Sequence, residues 1–152
     1  MNDAPILICY DGSDGAEHAI TAAADLLRHG RAVVLDVGPV LTPAESLAVT
    51  APVSPGALFE EENEDDARDR SRAGAELARR AGFDAEPRAG LSAPTWGGIV
   101  DVANEIDAAV IVLGSRGLSG ARERLEGSVS HAVAEHAGRP VLIVPPQPAH
   151  GS

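Results

Sequence analysis

Four short apolar runs punctuate the chain: PILICY (5–10), AVVLDV (32–37), AAVIVLG (108–114) and PVLIV (140–144). They are nearly continuous rather than alternating and are rich in β-branched residues, as expected of strands buried on both faces of a parallel sheet. A weaker fifth run, FDAEPRAG (83–90), contains Pro87, which cannot donate to a ladder and so predicts an edge strand.

Between the runs the apolar positions move to helical spacing. Ala16, Ala19, Ile20, Ala23 and Leu27 share one face of a first helix, with Ser13 or Asp14 as N-cap and Gly30 as its stop. Residues 59 to about 81 predict a second helix, with six acids among the seven residues 60–66 and arginines towards its end. That order complements the helix dipole and sets Glu64 against Arg68 and Asp66 against Arg70 at i,i+4. A third helix is predicted from Pro94 to Ile106, and a fourth from about Gly127 to Ala137, closed by Gly138 and Pro140. Strand and helix thus alternate to the end, which predicts a single-domain, doubly wound α/β sheet of about five strands over residues 1–146, with 147–152 as a tail. Such sheets bind ligands at the carboxyl ends of their strands, so the loops after residues 10, 37 and 113 are the ones to watch. Residues 39–58 hold four prolines and one charge. A connection that long inside a compact domain is expected to be a mobile cover over a site or, alternatively, plain disorder.

Composition narrows the class of function. The formal charge is −11 and all twelve basic residues are arginine. An acidic chain is a poor partner for nucleic acid or anionic membrane, and the lack of lysine removes P-loop, Schiff-base and Ser-Lys chemistry. No apolar run approaches the ~18 residues that span a bilayer, and no secretory leader is legible, so the expected compartment is the cytoplasm. The one cysteine, Cys9, lies within an apolar run and suits a reducing environment.

The glycines raise the sharpest question. In VLGSRGLSGARERLEGSVSHAV, Gly114 ends a buried strand, Gly117 follows two residues on, and Gly127-Ser128 follow after nine more. Glycine lets the backbone approach a ligand closely, and a helix start offers unpaired N–H groups and a positive dipole end, so the spacing suits a phosphate cradle. The plainer alternative is a turn followed by an ordinary serine N-cap.

The same stretch, with GRPVLIVP after it and ILICYDGSDGAEHAI at the start, resembles the universal stress protein family. ATP-binding members of that family carry Gly-x2-Gly-x9-Gly-(Ser/Thr), matched here by Gly114, Gly117, Gly127 and Ser128. The resemblance runs from residue 5 to about 145. It implies a parallel five-stranded sheet in the order 3-2-1-4-5 with helices on both faces, a bound nucleotide, and homodimers paired through the last strand. It also implies an adenine site at the backbone around Cys9 and Val37, Leu113 among the nucleotide-binding residues, and Arg116 near ribose or phosphate. Gly114, Gly117, Gly127, Ser128, Val129 and Ser130 would hold the phosphates. Asp11 would face Mg²⁺ or the ribose-phosphate region, in keeping with its place just past a strand's carboxyl end, where a hard oxygen ligand belongs. Its alternative role is to cap the DGSDG turn. Within 114–128 three arginines oppose two glutamates, a local charge of only +1. Binding of ATP should therefore lean on backbone dipoles and on Mg²⁺.

Spacings for a hydrolase fail. GLSGA is not a nucleophile elbow, and His131 and His136, five apart, do not share a helix face as a zinc pair would. The expectation is a cytoplasmic, homodimeric, ATP- and Mg²⁺-binding regulator of the stress response, at most a weak ATPase, read by a protein partner. The alternatives are a nucleotide-independent interaction module and a sensor of another adenine nucleotide such as cAMP.

Overall fold

The computed structural model describes residues 3–37, 56–90, 94–115 and 123–146, with backbone alone over 56–64 and 123–128. The Pro-rich connection, Arg116, Gly117 and the tail lie outside the described residues.

Five strands, β1 (Ile6–Tyr10), β2 (Arg31–Asp36), β3 (Asp84–Arg88), β4 (Val110–Gly114) and β5 (Val141–Val144), alternate with four helices, α1 (Asp14–Leu26), α2 (Gly56–Ala81), α3 (Thr95–Ile106) and α4 (Glu123–His136). All the pairings are parallel, in the order β3-β2-β1-β4-β5, as expected. The chain reverses direction across the sheet between β1 and β4, so the crevice outside their carboxyl ends is the topological switch point. β3 is an edge strand, and its Pro87 pairs opposite Val34.

Alternation along the strands divides the core between the two faces of the sheet. Ile6, Ile8 and Tyr10 pack with alanines of α1 and α2, while Leu7 and Cys9 pack with Ile99, Val102 and Val133 of α3 and α4. At Gly74 of α2 a Cβ would stand 2.7 Å from both Tyr10 Cδ2 and Val34 Cγ1, so only glycine lets this helix lie so near β1 and β2.

Three expectations are corrected. α1 stops at Leu26, not at Gly30: Leu27 turns extended while its N–H still bonds Ala23 O at 2.8 Å, which returns its side chain to the core. Gly30 instead accepts from Asp84 N–H and ties the start of β3 to the sheet. α4 starts at Glu123, four residues before Gly127, because the Glu-Arg-Leu-Glu run is itself a good helix former with acid at its positive end. Finally, Arg70 does not pair with Asp66 on its own helix but crosses to Asp36 at the end of β2, where a buried carboxylate needs a cation more than an exposed one does. Arg68 meets Asp65 at 3.8 Å, one residue nearer than its predicted partner Glu64, whose side chain is outside the described residues.

Candidate functional site

The first loop is built by local hydrogen bonding. Asp11 follows β1 directly, and Gly12 takes φ +85°, a left-handed conformation that favours glycine. Asp11 Oδ1 accepts from Ser13 N–H at 2.9 Å and from the Ser13 hydroxyl at 2.5 Å. Ser13 Oγ in turn accepts from Ala16 N–H at 3.1 Å, which resolves the α1 N-cap as Ser13. Asp11 therefore does shape the DGSDG turn that leads into α1.

Beside it stands a pair that the sequence did not single out. Asp36, whose side chain is 5% exposed, accepts from Arg70 Nε at 2.7 Å and from Nη2 at 3.3 Å. The Arg70 stem passes over the first loop, with Cδ 3.6 Å from where a Gly12 Cβ would be. Arg70 holds its proton more tightly than an ordinary guanidinium, chiefly through the hydrogen bond to Asp36, with Asp66 and Asp11 adding to the effect. A lone acid closing an otherwise apolar buried strand was a legible signal that some cation must cover it. Which cation was not legible, since Arg70 lies 34 residues on and had an acid waiting at i−4.

Three of the predicted nucleotide-binding residues come together in the core. Cys9, Val37 and Leu113 belong to one buried cluster on the α3/α4 face, and Val129 packs against it from α4. The ladder brings their strands into line: Cys9 pairs with Leu35, Ile8 with Val112, and Val37 N–H donates to Tyr10 O at 2.9 Å. Burial, then the charge of Asp11, pushes the Cys9 thiol up to about 12, so this cysteine is an inert packing group. Gly114 closes β4 opposite Val144, and Ser115 N–H donates to Val144 O at 2.8 Å. Ser130 is buried. Gly127 and Ser128 fall in the second turn of α4, past the four N–H groups that a helix start leaves unbonded.

These residues fit a nucleotide bound with its metal better than a metal held by protein alone. Among the described residues no three His, Cys, Asp or Glu gather as a metal cage. Mg²⁺ commonly takes one or two carboxylates and draws its other ligands from phosphate and water, a set that Asp11 could join.

Comparison with known proteins follows the same outline. The model of the universal stress protein family matches residues 4–145. Universal stress protein YxiE of Bacillus subtilis is 32% identical over 149 residues, covering 91% of this chain and 97% of its own. A universal stress protein structure from Archaeoglobus fulgidus superposes with a TM-score of 0.66 at 25% identity, covering 93% of each chain. A universal stress protein solved in complex with cAMP superposes with a TM-score of 0.59 at 25% identity, covering 93% of this chain and 96% of its own.

Proposed function

The chain belongs to the universal stress protein family, and from that premise we propose that it binds an adenine nucleotide, ATP with Mg²⁺, as a nucleotide-dependent regulator of the stress response. The observation that carries this reading is the convergence of Cys9, Val37, Leu113 and Val129 in one apolar cluster at the switch point, with Gly114 ending β4 and Asp11 directly after β1. In this reading the adenine lies against that cluster. The phosphates run past Gly114 and Gly117 towards Ser128 and Ser130, with Arg116 beside them, and Asp11 holds Mg²⁺. The metal supplies the positive charge that an acidic chain does not.

Hydrolysis is slow in this reading, because Asp11 Oδ1 already accepts two hydrogen bonds within its own turn and is better placed to hold a ligand than to take a proton. The protein acts in the cytoplasm as a homodimer paired along β5, an edge strand whose Ile143 is 38% exposed, and a protein partner reads its bound state. Among the described residues no helix is long and apolar enough to cross a membrane. A cyclic nucleotide is the second reading, favoured by the structural relative solved with cAMP.

The test is calorimetric titration of ligand-stripped protein with ATP and with cAMP, each with and without Mg²⁺. Tighter, Mg²⁺-dependent binding of ATP, lost in Gly117→Val and weakened in Asp11→Ala, supports the first reading. A preference for cAMP independent of metal supports the second, and no binding of either overturns both.

A further inference from the structure

We infer that the Asp36–Arg70 pair is a positioning device for the first loop, setting the turn that carries Asp11 in the conformation that receives a phosphate-bound divalent cation. The inference rests on the nucleotide reading above and adds to it two residues and a metal-specific role.

The argument begins with burial. Asp36 ends β2 with its carboxylate almost wholly out of water, a placement that requires a fixed cation. Arg70 supplies it through two nitrogens at 2.7 and 3.3 Å, a fork geometry that a lysine could not reproduce. With its head pinned in this way, the methylene stem of Arg70 has little freedom and lies in van der Waals range of the Gly12 position. Gly12 is the left-handed residue between Asp11 and Ser13, the two ends of the hydrogen-bonded turn. The path is therefore short, from the end of β2 through Asp36 to the Arg70 head, and along a stem that borders the space where a Gly12 Cβ would be, beside the Asp11 turn. Arg70 comes from α2, held near β1 and β2 by the close approach at Gly74, so the strap is anchored at both ends.

Charge points the same way. Asp11, Asp36 and Asp66 all act on Arg70, so one guanidinium serves three carboxylates at this corner. By engaging Asp36 in a bidentate pair, Arg70 keeps that carboxylate turned into the protein. Asp11 is then the acid at the end of β1 that a cation meets. Outer groups that orient a metal ligand in this manner typically change metal affinity by roughly 10- to 100-fold when removed.

The experiment compares Arg70→Gln, Arg70→Lys, Asp36→Asn and the double variant Asp36→Asn/Arg70→Gln with the native protein. Each is titrated with ATP in Mg²⁺ and in EDTA, and its unfolding midpoint in urea is recorded. Arg70→Gln is expected to weaken Mg²⁺-ATP binding about tenfold or more, with a much smaller change in EDTA. Arg70→Lys is expected to recover only part of the loss. The double variant carries no unpaired buried charge, so it should regain stability without regaining the Mg²⁺ effect, and it keeps the test open if Arg70→Gln fails to fold. Equal losses with and without Mg²⁺ would overturn the inference while leaving the nucleotide reading intact, since the pair would then only support the fold. A gain of Mg²⁺ affinity in Arg70→Gln would also overturn it, by showing Arg70 to be a competitor of the metal. Native protein that binds no nucleotide, or binds ATP without regard to Mg²⁺, overturns the premise and the inference with it.

Discussion

The two faces of the sheet are packed on different principles. On the α1/α2 face the helices present mostly alanine around Ile20, and Gly74 sits where a single methyl would strike Tyr10 and Val34. On the α3/α4 face larger side chains such as Ile99, Val102 and Val133 fill an ordinary gap. The close-packed face carries the charged corner of Asp36 and Arg70, while the other carries the apolar cluster assigned to the base. Small residues bring the helix that bears Arg70 within reach of the strand ends, whereas branched residues fill the space between α3, α4 and the sheet.

The largest expected effect lies on the α3/α4 face. Ile99→Ala removes a fully buried side chain and should cost about 2–5 kcal/mol in urea unfolding. A smaller cost would mean that this face can collapse, and the contrast between the faces would weaken. Gly74→Ala tests the other face with opposite chemistry, adding a methyl where one was absent. Helix propensity favours the change by about 1 kcal/mol, yet the clash at 2.7 Å should dominate and give a net loss of about 1–3 kcal/mol. A stabilised Gly74→Ala would break the comparison outright.

Titration reads a buried group on each face. Burial first, then Asp11, pushes the Cys9 thiol up to about 12, well above an ordinary thiol. Its contribution is therefore complete below about pH 9 and is lost as pH rises towards 12, at up to about 1.4 kcal/mol per pH unit. Tyr10, on the opposite face, is also raised, by burial first and then by Glu17 and Asp11. Both groups thus erode stability in alkali, and Cys9→Ala should flatten the slope above pH 9 while lowering stability at neutral pH. An unchanged slope would assign the alkaline loss to Tyr10 alone.

The smallest effect sharpens the comparison at α4. Gly127→Ala, in the second turn of that helix, should raise stability by at most about 1 kcal/mol. If Gly127 also lies against phosphate, the same change should weaken ATP binding in calorimetry. Stability and affinity would then move in opposite directions, as they would not for a glycine that is only part of a helix.

Much of this molecule could be read from its amino acids alone. Continuous β-branched runs announced the buried parallel strands, Pro87 announced the edge, and the glycine spacing pointed to the loop after β4. These signals are local, since each follows from what a residue's own backbone and side chain can do. The corrected points were settled over distance. Residues 123–126 extend α4 because helix propensity outran the glycine as a start signal. Arg70 left its neighbour Asp66 for Asp36 because desolvation makes a buried carboxylate the more demanding partner, and no spacing records which acid will be buried. The close approach at Gly74 likewise depends on which strand residues face it. Sequence alone determined the elements, their order and Asp11 as a candidate ligand. Only the tertiary structure decided which acid Arg70 meets beside that turn, because that depends on burial, which belongs to the fold rather than to any one stretch of chain.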